Sequence, residues 1–504
     1  MKRWLWNLLK IYFISFFPYL IVFVISLYNP ADSDLGWHLK YGEYFFKNHQ
    51  ILRENIFSTE MPGYKWVNSS WATDLVTYSL YNEGSFLGLS LAGALIVTLT
   101  FYFFSKAANL SFWEQVFLFP ILAYLEQPLV MVSFRGHLLS LLFLGILYFL
   151  LTQFMKGKRW WLYLAVPLFT LWSNFHGEFI LGLGLFFIWI VLYVTCHSGL
   201  SRIRMGFWSR PDQIGTPQND ARWKFLFGMF ILSFFATLIN PFSIGIYQET
   251  FRHFGNPFQQ YIVEWLPFDT YSLLWWNLEG WGIFLAINIF IIIKQKKITK
   301  NLPYIVSTAT LFALSLSIRR YAWPMFLVSL PLAKNILCLI KPKEEKLQFV
   351  ITAPLFILFY ILIIYIRNPL ADLKTMSWDT YCKRYLLCSP NSAQFLIGNG
   401  LTNNLLTFYS WGGWLIANYP QIKPSIDGRM HLWQDKTGYS AFAYYYPLEQ
   451  AWKNVDESKY DTVYMPPTKP IYKKMKELVR EGKWVMVYED NFAGIFVRKN
   501  SIAS

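Results

Sequence analysis

Hydrophobic positions in this chain fall mostly into long unbroken runs, with charged residues kept to the gaps between them. A helix crossing a bilayer core needs about 17–25 mostly apolar residues. Eleven runs approach that length, several needing part of their flanks. The first six are Ile11–Leu27, Phe86–Phe104, Phe112–Tyr124, Leu138–Phe154, Trp161–Trp172 and Phe179–Thr195. The rest are Phe225–Leu238, Trp276–Ile293, Pro303–Leu316, Tyr321–Ala333 and Phe349–Ile366. A different pattern follows the first run. Asp34–Gln50 sets Trp37, Tyr41 and Tyr44/Phe45 on one helical face, and Trp71–Tyr81 does the same with Trp71, Leu75 and Tyr78. Both suit juxtamembrane helices lying in the interface plane. Beyond Arg367 the period changes again. Strand-like runs at Leu405–Tyr409, Asp461–Met465, Trp484–Tyr488 and Gly494–Arg498, with an amphipathic helix near Pro470–Glu481, predict a small α/β domain. The expected fold class is therefore mostly α. It is a polytopic membrane domain over residues 1–367, with about 11 transmembrane helices and a first outer loop at 28–85, followed by a soluble domain over 368–504. No small-residue cleavage site follows the first run, so a signal peptide is not expected.

Composition agrees: 55% of the 504 residues are hydrophobic and 15% charged, with 32 Tyr and 23 Trp of the kind that gather at membrane interfaces. The net charge of +15 would suit nucleic acid, but its distribution gives it another meaning. With the N-terminus (Lys2, Arg3, Lys10) in the cytoplasm, the inner segments carry 20 Lys/Arg and the short outer loops four. That is the positive-inside bias. It orients the chain, places the C-terminal domain outside, and leaves no excess that calls for nucleic acid. Four cysteines cannot form a disulfide framework. Cys382 and Cys388 fall outside, where a disulfide can persist, and five intervening residues permit a loop; whether they pair stays open. Cys196 and Cys338, at inner helix ends, are expected to be free thiols.

The interesting polar residues collect at the outer helix ends. Asp32, Asp34 and His38 follow the first run; Arg135 and His137 occupy the second outer turn, which also holds Glu126; Asn174, His176 and Glu178 occupy the third. Glu264 lies in the fourth and Arg319–Arg320 in the fifth. Ionisable groups at such a boundary are functional candidates.

Several stretches resemble the GT-C superfamily of integral membrane glycosyltransferases, in particular a bacterial branch near the protein O-mannosyltransferases and the aminoarabinose transferase of lipid A. The resemblance rests on Asp32-Ser-Asp34-Leu-Gly-Trp-His38-Leu, on Asn55-Ile-Phe-Ser58 with Trp66 and Trp71, and on Arg135-Gly-His137. It continues through Leu171-Trp-Ser-Asn174-Phe-His176-Gly, Asn240-Pro241, Trp411-Gly-Gly-Trp-Leu-Ile and Ile426-Asp427-Gly-Arg429. Each motif is short, and their order carries the likeness. It implies transfer of a sugar from a polyprenyl-phosphate donor to an acceptor (protein, lipid or glycan) outside the cytoplasm, in a bacterial plasma membrane. The superfamily's catalytic acid falls on Asp34, or on Asp32; many relatives follow it with Glu, where this chain has Leu35.

Such a reaction has two tasks, to deprotonate an acceptor hydroxyl and to stabilise a departing phosphate. A partly desolvated carboxylate suits the first, so Asp34, with Asp32 in support, is the expected general base; the alternative is that both merely cap the following helix. Arginine forks suit the second, and Arg135, His137, Arg319 and Arg320 are expected to bind the donor phosphate, the alternative for the Arg pair being snorkelling to headgroups. His38, Asn174, His176, Glu178 and Glu264 are candidates for sugar or acceptor hydroxyls. No cofactor is expected. A divalent metal on His38, His137, His176 and Glu178 is chemically possible but no ligand spacing supports it. In the C-terminal domain, Asp427-Gly-Arg429 is first a turn signal and Trp411-Gly-Gly-Trp414 first a packing element. The competing activities are an O-antigen ligase or polymerase acting on diphosphate-linked glycans, a transporter, and a glycan receptor. The chain has no long late outer loop between spans and no internal repeat, which disfavours the first two.

Overall fold

The computed structural model describes residues 16–197, 217–252, 256–367 and 376–501. Lys2, Arg3 and Lys10, which help to orient the first run, lie outside them. The chain divides into two compact units, one of residues 1–29, 90–244 and 260–373, the other of residues 30–89, 245–259 and 374–504. The change of pattern near residue 367 thus lies close to a unit boundary, and the second unit also takes in the first outer loop.

The first unit is helical. Among the described residues, Trp71–Ala108, Gly136–Met155, Leu273–Lys294 and Glu345–Tyr365 are long and apolar enough to cross a membrane. Gly136–Met155, with 20 residues, spans about 30 Å at 1.5 Å per residue. The run expected at Tyr321–Ala333 belongs to a bent pair, Arg319–Val328 and Leu330–Ile340, that turns by 51°; Pro331 starts the second half, where its missing N–H costs least. Other expected runs fall, within the described residues, on the apolar helical stretches Phe16–Ile25, Phe112–Leu125 and Phe179–Thr195, the first five residues of Ile11–Leu27 lying outside them. Trp161–Trp172 is divided between a 3-10 turn, Arg159–Leu164, and the helix Ala165–Phe175.

Trp71–Ala108 is broken at Ser85, whose φ of 51° and ψ of −147° are not helical. The break falls between the amphipathic Trp71–Tyr81 and the apolar Phe86–Phe104. Gly88 permits the tight return, because a Cβ there would lie 2.5 Å from the Leu80 carbonyl oxygen.

The second unit holds a four-stranded sheet in the order β1-β2-β4-β3, formed by β1 (Leu405–Thr407), β2 (Thr462–Met465), β3 (Trp484–Glu489) and β4 (Gly494–Arg498). Only β1–β2 is parallel. The helix Pro470–Arg480, expected to be amphipathic, buries Ile471, Tyr472, Met475 and Leu478. Cys382 and Cys388 form a disulfide inside this unit's core.

Two glycines let the first outer loop join that core. The helix Leu35–Asn48 crosses the helix Gly412–Asn418 so closely that a Cβ on Gly36 would sit 1.9 Å from the Gly413 carbonyl oxygen. One on Gly413 would sit 2.4 Å from the Ser33 carbonyl oxygen. Gly413→Ala should therefore lower the denaturation midpoint of the purified protein by the equivalent of about 1–3 kcal/mol, the usual cost of overpacking. Gly398→Ala, where a Cβ meets nothing within 4 Å, is the control that should leave the midpoint in place.

The aromatic face of Leu35–Asn48, expected at a membrane interface, is in part turned onto the chain's own rings. Trp37 and Tyr41 are buried against Trp66, which in turn meets Trp433 from the C-terminal segment. The chain's own rings supply the apolar surface. In the neighbouring segment, Phe45 meets Trp71 and Phe46 stacks on Tyr78. The face carrying Thr73, Asp74 and Thr77 is the buried one.

Candidate functional site

In the second unit, Asp32 and Asp34 sit on the turn that begins the helix Leu35–Asn48. Tyr381, fully buried, pins this turn: its hydroxyl accepts from the Asp32 N–H at 3.1 Å and donates to the Asp32 carbonyl oxygen. Asp32 Oδ1 accepts the Asp34 N–H at 3.0 Å. Asp34 occupies the N-cap position, and its backbone oxygen accepts from Trp37 and His38. Its side chain makes no capping hydrogen bond. The carboxylate instead presses on Gly428, where a Cβ would stand 1.8 Å from Oδ1. Gly428 is thus required to be side-chain-free by the acid it touches. The sequence offered Asp427-Gly-Arg429 first as a turn and as one motif of the resemblance.

The residues flanking that glycine form a buried ion pair. Arg429 donates from Nε and Nη2 to the two Asp427 oxygens, both at 2.7 Å, and from Nη2 to Asn55 Oδ1 at 3.1 Å and Ser58 Oγ at 3.3 Å. Ser58 also donates to Asp427 Oδ2. Four rings, Phe57, Trp433, Trp66 and Trp37, surround the guanidinium at 5.0–6.0 Å. Burial alone would raise the Asp427 carboxyl; the Arg429 charge and hydrogen bonds, with Ser58, outweigh it and hold it below the usual carboxylate range. Asn55 and Ser58, quoted above as parts of a motif, thereby gain a physical role.

His38, one helical turn after Asp34, has Nδ1 2.5 Å from Oδ1 of the fully buried Asp74. Asn68 Nδ2 donates to the other Asp74 oxygen at 2.6 Å. Burial pulls the imidazole down, but the charge and hydrogen bond of Asp74, aided by Asp32 and Asp34, hold it above its ordinary value. Neither Asp74 nor Asn68 stood out in the sequence. His38 Nε2, Trp37 Nε1, Trp66 Nε1 and Arg429 Nη1 are buried with no hydrogen-bond partner among the described residues. An unmet polar atom costs about 1–3 kcal/mol, so this enclosure favours a polar occupant such as water or a hydroxyl.

The raised His38 value has a sign that can be checked. Its contribution to stability is fully present below about pH 6.5, the unfolded value, and is lost as pH rises through the higher folded value. Melting of the wild type should therefore weaken from pH 6 to pH 8 by an amount that Asp74→Asn removes.

In the first unit, four of the five turns expected on the outer side converge. Arg320 Nε donates to Glu178 Oε1 at 2.7 Å and Nη1 to Glu264 Oε1 at 3.4 Å, with the guanidinium over Trp265. His176 Nδ1 lies 3.4 Å from Glu178 Oε2 and 2.8 Å from Ser140 Oγ, which also accepts from Trp172 Nε1. His137 Nε2 lies 3.9 Å from Glu178 Oε1, and the two imidazoles meet edge-on. Gly136 admits the His176 ring, since a Cβ there would be 2.6 Å from it. Arg135 is the residue preceding that helix. Two candidates sit differently: Arg319 donates to the Leu266 and Pro267 carbonyl oxygens, and Asn174 donates to those of Thr170 and Ile239. The donor atoms of His137, His176 and Glu178 lie within 4.8 Å of one another, a set able to hold a divalent ion, though Arg320 already holds one Glu178 oxygen.

No protein-family description and no curated protein matches the sequence. The structure is similar to the oligosaccharyltransferase of Archaeoglobus fulgidus, solved with a tethered acceptor peptide containing the sequon NVT. The match has a TM-score of 0.51 and 10% identity, and covers 90% of this chain and 70% of that one. At that identity the likeness is one of fold.

Proposed function

We propose that this chain is an integral membrane glycosyltransferase that moves a sugar from a polyprenyl-phosphate donor to an acceptor outside the cytoplasm, with Asp34 as general base. The observation that carries the reading is the Asp34 carboxylate: it starts a helix without capping it, and the Asp427-Gly-Arg429 turn is built closely against it. The oligosaccharyltransferase-like fold supports glycosyl transfer as the reaction class. In the reaction, Asp34 takes the acceptor's hydroxyl proton and the acceptor oxygen bonds the anomeric carbon. The bond to the phosphate oxygen breaks with its electron pair, a single displacement that inverts the centre. His38, with Nδ1 committed to Asp74, offers Nε2 to a sugar or acceptor hydroxyl, and Asp32 supports the turn.

Arg135, His137, Arg319 and Arg320 would meet the donor phosphate, and Asn174, His176, Glu178 and Glu264 the sugar hydroxyls. The orientation follows the charge bias, with the N-terminus cytoplasmic and the second unit extracytoplasmic, in a bacterial plasma membrane. The test is donor consumption in nanodiscs, with mass spectrometry detecting polyprenyl phosphate released from a panel of polyprenyl-phosphate sugars. Release from a monophosphate donor is expected. Turnover only with diphosphate-linked oligosaccharides would move the chain to the ligase or polymerase class, and silence with both would overturn the reading.

A further inference from the structure

The first unit contains a cavity of about 930 Å³ lined by segments 107–109, 152–156, 295–304 and 331–339, with Trp189 on its wall. These touch the segments 105–111, 155–160, 294–302 and 334–346, which the charge bias assigns to the cytoplasmic side. Lys156, Lys297, Lys300 and Lys334 all line it, and no Asp or Glu does. Trp189 and Tyr304 contribute aromatic surface beside Pro303. Lys334 is anchored to the Ala108 and Asn109 carbonyl oxygens, and Lys297 reaches Gln295 Oε1 at 2.7 Å.

A bias toward inner-face lysines does not require them to share one cavity. Nor do they all serve helix ends. Lys297 and Lys300 lie at the N-terminus of the helix Ile298–Ser317, where the macrodipole disfavours cations and favours an anion. Like charges facing one cavity repel until a counter-anion joins them, and the volume is that of a ligand pocket. We infer that this cavity binds a phosphate-bearing anion with an apolar part, of the kind an inner-leaflet anionic lipid presents, at a site separate from the proposed transferase chemistry. The lysines hold the phosphate, and the Trp189–Tyr304 wall holds the apolar portion.

The experiment is native mass spectrometry of the full chain from nanodiscs of equal phosphatidylglycerol and phosphatidylcholine. Phosphatidylglycerol should be retained about 10-fold or more over phosphatidylcholine, consistent with basic pockets near a charged leaflet. The enrichment should collapse in the double variant Lys156→Gln/Lys300→Gln, and also in the wild type at 0.5 M salt, where screening is short-ranged; the salt arm needs no variant to fold. A second arm adds pyrophosphate to delipidated protein in detergent. A raised melting temperature there, lost in the double variant, without lipid enrichment would keep the phosphate chemistry and make the source a soluble phosphate compound. Equal retention of the two lipids with no pyrophosphate effect would overturn the inference, as would enrichment insensitive to both lysines and salt.

Discussion

Asp34→Asn should reduce glycosyl transfer by about 10²–10⁴-fold, the range general-base catalysis supplies, with the melting temperature nearly unchanged. The substitution is close to isosteric, so the contact with Gly428 survives, and no capping bond is lost because the Asp34 side chain makes none. A fall in rate then reports chemistry. Asp32→Asn is the discriminating partner. Asp32 Oδ1 accepts the Asp34 N–H, and an amide oxygen can accept it too, so turnover should persist within about a factor of ten. A dead Asp32→Asn beside an active Asp34→Asn would transfer the base to Asp32. Full activity in both would remove the carboxylate mechanism altogether. Polyprenyl-phosphate release by each purified variant, read against its melting curve, decides among these.

The largest effect on stability should come from Arg429→Met, about 3–5 kcal/mol, the cost of stranding a buried charge. Asp427 is fully buried with no other cation bonded to it among the described residues, and Asn55 Oδ1 and Ser58 Oγ would lose their guanidinium donor. Methionine keeps part of the volume inside the four rings, which isolates the charge effect from cavity formation. The double variant Asp427→Asn/Arg429→Met should recover part of the loss, since no net buried charge remains. Denaturant midpoints of the wild type, Asp427→Asn, Arg429→Met and the double variant in one detergent form the cycle that measures the coupling. The pH dependence has a definite sign: because Asp427 is held low, the pair stabilises above the ordinary carboxylate value of about 3.9 and its contribution fades as pH falls through the folded value.

Much of the architecture was legible because hydrophobic period is a strong local signal. The amphipathic and apolar halves of Trp71–Ala108 were separable by pattern, and the chain breaks between them at Ser85. The strands near Leu405, Thr462, Trp484 and Gly494 begin within a residue of their expected starts. What a face packs against is not local information. Trp37 and Tyr41 read as an interfacial face, yet Trp66 and Trp433 cover them. The same limit hid Asp74, whose significance depends on His38, 36 residues earlier. It also hid the pairing of Ser58 with Asp427, 369 positions away. In the first unit the ionisable turn residues were legible in the sequence by type. The exchange of Arg320 between Glu178 and Glu264 needed three-dimensional placement.

The discontinuity of the second unit has a consequence for how the protein is made. Its helix Leu35–Asn48 leaves the ribosome early, but Gly413, Asp427 and Arg429, against which that segment is built, belong to the part made after Lys374. At about 5–20 residues per second, the stretch between Leu89 and Lys374 keeps the early segment waiting for roughly 15–60 s. During that time Asn55 and Ser58 have no guanidinium to meet, and the Gly36 face has no partner. A chain interrupted anywhere in its membrane part would carry the acid without its turn. Quality control that monitors this segment would therefore be sensing whether synthesis has passed Arg429.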